Sequence, residues 1–126
     1  MPQYNQHTAQ AEHNKNLLSF LMEQNKQVEY SDWYVTVAFY TALHYFEAVL
    51  SVKPAADFDH SPNHVARNKI MKIEFGTIYN HYSILYRTSR IARYECHAPD
   101  SYDWNDANTY LAGVKKECEA LIGKKI

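Results

Sequence analysis

Glycine and proline are scarce in this chain, with three and four among 126 residues. These residues supply or fix the backbone angles that tight turns need, so their scarcity argues against a many-turned β-architecture and for long helices. Cysteine is limited to Cys96 and Cys118, and no CxxC or other metal-ligand spacing is present. A disulfide between them would need an oxidising compartment, so free thiols are expected. Charge of either sign is not in excess: thirteen basic and fourteen acidic side chains leave a formal −1. No whole-molecule field draws in nucleic acid, so such a partner would need a local patch. The longest apolar-rich run is interrupted by His, Tyr, Thr and Glu, and no apolar leader opens the chain. The expectation is a cytoplasmic protein with no membrane partner. A Gly-rich phosphate loop, a nucleophile elbow and a dinucleotide fingerprint are all missing.

What is present is aromatic and helical. The chain has 11 Tyr, 5 Phe and 2 Trp, and seven His. The stretch Asp32–Leu50, DWYVTVAFYTALHYFEAVL, carries Val35, Phe39, Ala42, Phe46 and Val49 at steps of three or four. That spacing predicts one buried helix face. A second line, Trp33, Val37, Tyr40, His44 and Glu47, starts apolar and ends ionisable. Before it, a helix is expected from Thr8 as cap to about Glu29, with residues 1–7 flexible. Ser31 is the expected cap of the second helix, reached by a very short link. Ser61-Pro62 predicts a further helix start, running to about Ile73 with Val65 and Ile70 inward and Arg67, Lys69 and Lys72 outward. Phe58 is expected to tuck against the core. Gly76 marks a break. A helix from about Thr77 to Tyr94 has the core line Ile78, Tyr82, Leu85, Ser89 and Ala92. The last helix, about Asp106 to Ile122, buries Ala107, Tyr110, Leu111, Val114, Cys118, Leu121 and Ile122. Together these predict an all-α protein: an antiparallel four-helix bundle with an additional short helix, in one domain over 8–126.

Three constellations could carry chemistry. Arg90, Arg93 and His97 share helical spacing, with Arg87 close by. Guanidinium forks suit phosphate, and an imidazole beside them can move a proton. Tyr86 and Tyr94 could stack on unpaired bases, with Tyr79 near them in sequence. The bland account has these arginines pairing with helix carbonyls and acidic neighbours. The second set is His44, Glu47, His60 and His64. Its spacing matches no zinc signature, so no metal or cofactor is assigned and the four are given supporting roles. Asp57, Asp59, Asp103 and Asp106 are explained by capping. Ser89 has no base beside it.

The segments DWYVTVAFYTALHYFEAVL, HSPNHVARN and YSILYRTSRIARY together resemble the HEPN domain family, over about residues 11–121. The resemblance implies an antiparallel four-helix bundle that dimerises. It also implies RNA- or nucleotide-directed activity, and in many members metal-independent endoribonuclease action within toxin–antitoxin systems. The family signature is an Arg, four to six intervening residues and a His. Arg90 and His97 match it with six, although Ile91 stands where catalytic members usually have a polar residue. By this resemblance Arg90 would hold the scissile phosphate and His97 would exchange the proton. A homodimer, RNA or a nucleotide, and an antitoxin-like protein are the implied partners. The alternative is a non-catalytic dimerisation or protein-interaction module whose exposed tyrosines and Trp104 form the contact patch.

Overall fold

The computed structural model describes residues 2–55, 61–94 and 101–126, with the backbone alone at 101–103. Five helices follow one another: α1 Tyr4–Glu23, α2 Ser31–Val52, α3 His64–Glu74, α4 Gly76–Tyr94 and α5 Ser101–Ile122. The protein is all-helical, with no strand among the described residues. Expectations for Asp57, Phe58, Asp59, His60, Cys96 and His97, and for the Asp103 side chain, fall outside the described residues.

α2 is the element the others are built on. It packs against α1, α4 and α5; α4 also meets α5, and α3 meets α4. Val35, Phe39, Ala42, Phe46 and Val49 are all fully buried, as their spacing predicts. Burying side chains of this size contributes roughly 1.5–3 kcal/mol each for the larger ones, which makes this face the main source of stability. By length and composition α2 could also cross a membrane, but most of its apolar window is covered by the rest of the protein. Contacts at both ends fix the helix directions. His7 of α1 meets His44 late in α2, while Tyr34 at the start of α2 reaches Met22 at the end of α1, so these two run antiparallel. Phe46 packs on Phe75 just before α4, and Tyr40 meets Arg93 at its end, so α2 and α4 are antiparallel too.

Several helix ends differ from expectation, each for a local reason. α1 begins at Tyr4, not Thr8. The Gln6 side chain accepts the Gln3 N–H at 2.7 Å, and the Thr8 hydroxyl donates to the Asn5 carbonyl within the helix. Residues 4–7 therefore belong to the helix. α1 ends at Glu23, well before Glu29. Asn25 adopts φ 53°, the Lys26 N–H donates to the Leu21 carbonyl at 2.7 Å, and the Asn25 N–H donates to Met22. This is a Schellman stop with Asn in the left-handed position. The link to α2 is correspondingly longer. Tyr30, not Ser31, flanks the start of α2, and Ser31 is already helical and buried.

α3 starts at His64, two residues later than Pro62. Its cap is Asn63, whose side chain accepts the Ala66 N–H at 2.9 Å. Ile70 is buried and Lys69 and Lys72 are exposed, as expected, but Arg67 is buried and Val65 is 78% exposed, the reverse of what was expected for these two. α5 extends back to Ser101. Gly113 in that helix is a point of close approach, because a Cβ there would stand 2.6 Å from the His81 ring on α4. Cys118 is buried with a free thiol. Leu121 is exposed, contrary to expectation, and Tyr110 is half-buried.

Candidate functional site

The end of α4 and the start of α3 form a cleft of about 250 Å³ lined by His64, Tyr86, Arg90, Arg93 and Tyr94. Five of the residues singled out in the sequence thus come together, from two helices. On the far side of Tyr86 and Arg90 lies a second cleft, of about 290 Å³, lined by Asn68, Tyr79, Ser83 and Arg87 with the same two residues. Tyr86 and Arg90 are the ridge between them.

The arginines are held differently. Arg93 is fixed: Nε donates to the Ser89 carbonyl, Nη1 to the Tyr40 hydroxyl at 2.9 Å, and Nη2 to Ser89 Oγ. Its guanidinium also lies 5.0 Å from the Tyr94 ring centre and 5.4 Å from that of Phe39. A planar cation held by ring faces keeps its remaining N–H groups aimed. Arg90 is exposed, with one long contact of 3.4 Å to the Tyr86 hydroxyl. The ion pairs among the described residues are Lys26–Glu29 and Arg67–Glu47. Neither cleft arginine is neutralised by a described carboxylate, although Arg93 does meet a helix carbonyl as the bland account expects.

Behind the cleft lies a buried chain of polar groups. Glu47 of α2 is 1% exposed, and its Oε1 accepts from Arg67 Nε at 2.7 Å while Oε2 accepts the Ser61 N–H at 3.2 Å. Arg67 Nη1 reaches His64 Nδ1 at 2.9 Å. This accounts for the inward turn of Arg67: a carboxylate buried in α2 requires polar partners, and the Arg67 guanidinium is one of them. Ser61 is no helix cap: its N–H donates to Glu47, and the cap of α3 is Asn63. Burial, then Arg67 and Arg93, push the His64 pKa below the usual histidine value. Tyr82 is fully buried near this network, and burial pushes its pKa up against the opposing pull of Arg67.

His44 does not join this cleft. Its Nδ1 stands 3.0 Å from Nδ1 of His7, and burial together with His7 lowers its pKa to about 4. His7 was missed by sequence reasoning, which placed it in a flexible tail. A half-buried His on α2 requires a polar neighbour, and that was the available signal. Of the expected site residues, His60 and His97 lie outside the described residues. No group of three His, Cys, Asp or Glu able to hold a metal occurs among the described residues. Comparison of the chain with known protein families, with characterised proteins and with solved structures finds no match.

Proposed function

We propose that this is an RNA-directed helical protein with a HEPN-like four-helix arrangement, and that the cleft at the end of α4 receives a phosphodiester of unpaired RNA. The observation that carries this reading is the convergence in one cleft of His64, Tyr86 and Tyr94 with two arginines that no carboxylate among the described residues neutralises. Arg90, exposed and held by one long contact, would close on the phosphate, and Arg93, already held, would orient it. The Tyr86 and Tyr94 rings would take bases, which stack without sequence preference. Arg87 and Tyr79 in the adjoining cleft would follow the strand onward. In a nucleolytic version, Arg90 stabilises the developing charge and His97 transfers the proton, with no metal required. Homodimerisation would set two such clefts beside one another, and an antitoxin-like partner would cover them.

The test is binding of labelled single-stranded RNA in EDTA at low salt. Arg90→Ala and Arg93→Ala together should weaken binding at least tenfold and reduce the salt slope by roughly 0.7 per lost phosphate contact. Loss of cleavage in His97→Ala with binding retained would support the nuclease version. Neither retention nor cleavage of RNA by the wild-type chain would sink both versions.

A second reading is favoured by a different surface. Phe20 and Leu17, one turn apart on α1, are 55% and 45% exposed, and Trp33 at the start of α2 is 62% exposed. This is the kind of apolar area that marks a protein-interaction module. Trp104 is not part of it, since it is half-buried and packs edge-on against Tyr34. Light scattering tests this second reading: a monomer at high concentration counts against a homodimerisation module.

A further inference from the structure

We propose that His64 is a positioning group of the cleft: a neutral imidazole, locked by Arg67 in the Nε2–H tautomer, that donates a hydrogen bond to the anionic oxygen held by Arg90 and Arg93. This rests on the reading of the cleft as an anion site, and it adds a residue that the Arg/His signature does not include.

A guanidinium has donors and no acceptor. The 2.9 Å contact between Arg67 Nη1 and His64 Nδ1 therefore requires Nδ1 to be an unprotonated acceptor. The ring proton is then on Nε2. The lock is stiff because Arg67 is not free to turn. Its Nε is held at 2.7 Å by Glu47, and the other oxygen of Glu47 is held by the Ser61 N–H. Both Glu47 and Arg67 are buried, where such charge-assisted bonds are strong and costly to break. Among the described residues, the charged and titratable groups around the ring are Arg67 on its own helix, Arg90, Arg93, Tyr86 and Tyr94 on α4, and Glu47 on α2. The one carboxylate among them is already neutralised by Arg67, so a second ring proton would enter a cationic surrounding. The lowered pKa of His64 agrees with this. His64 then adds direction without charge: it selects an oxygen placed to accept, and it stays neutral to lower pH than an ordinary histidine.

Nitrogen-resolved NMR of the histidines in the full chain tests the proposal. The expected spectrum shows a protonated Nε2 and a pyridine-like Nδ1 for His64 at pH 8, and protonation of the ring on acidification later than for an ordinary histidine. Glu47→Gln, which loosens Arg67 with little change in shape, should give a mixture of tautomers. Addition of inorganic phosphate should move the His64 Nε2 signal together with those of Arg90 and Arg93. His64→Gln, which keeps a donor, should hold phosphate affinity, whereas His64→Phe should lose about fivefold, the worth of one hydrogen bond. A protonated Nδ1 overturns the tautomer lock. The expected tautomer with arginine signals that respond to phosphate while His64 stays silent overturns the positioning role and leaves the anion site standing. Silence of all three groups overturns the anion site and the positioning role together.

Discussion

On the α3 side of α2, Glu47 meets Arg67 at 2.7 Å and the pair is ionic. On the α1 side, three residues earlier, His44 meets His7 at 3.0 Å and the pair is imidazole against imidazole. Both sites bury polar groups against the same helix. The first keeps its charges and satisfies them by turning α3 until Arg67 faces inward. The second can exist only while at least one ring is neutral, because two protonated Nδ1 atoms cannot bond one another. Helix α2 therefore carries one side fixed by charge and one side conditional on the absence of charge.

The difference can be broken most strongly at Glu47. Glu47→Ala leaves Arg67 as a buried cation, and unfolding in denaturant should show a loss of about 3–5 kcal/mol. Replacing both partners with Glu47→Leu and Arg67→Met should recover most of it, since a buried ion pair can be exchanged for packed apolar groups at little net cost. A double replacement as unstable as the single one would show that the network does more than satisfy itself.

The next effect belongs to the other side. An unfolded histidine titrates near 6.5 and His44 in the fold near 4. Between these values the unfolded chain takes up the proton first. The stability that neutral His44 contributes is present above about pH 6.5 and drains as pH falls through about 4. Denaturant midpoints measured from pH 7 to 4 should fall, and His44→Gln should flatten that part of the curve. An unchanged slope in His44→Gln would remove the conditional side of the comparison.

The smallest effect is the exposed Lys26–Glu29 pair, also 3.0 Å apart. Solvent screens it. Lys26→Ala should leave the denaturant midpoint within experimental error, in contrast to Glu47→Ala. A measurable loss would mean that distance rather than burial governs the ion pairs of this fold.

The buried faces of α2 and α4 were legible because period decides them: Phe39, Phe46, Ile78, Tyr82 and Leu85 recur as one stripe and are buried as one stripe. Helix ends were less legible. Val28 prolongs the apolar pattern of α1, but the left-handed Asn25 stops it, and a stop made by backbone bonds leaves no periodic trace. The facing of α3 was misread for a different reason. Val65 was expected inward for its hydrophobicity, but the buried face runs through Arg67, Ile70 and Met71, with Arg67 meeting Glu47 of another helix. The cleft was half visible: spacing places Arg90 and Arg93 on one face, but nothing local to α4 brings His64 to them. That meeting depends on Glu47 and Arg67, two residues whose separate sequence contexts do not announce a bond.

The tyrosines that fill the interior carry a cost at the other end of the pH scale. Tyr34, Tyr45 and Tyr82 are buried, and burial raises the pKa of each, that of Tyr45 to about 12. Unfolded phenols ionise near 10. Above that pH an opened chain sheds protons that the closed one must keep, so stability falls as alkalinity rises. Packing that makes the core aromatic thereby gives the protein an alkaline ceiling, and the ultraviolet signature of these three phenolates should emerge together, as the fold opens, and not one by one.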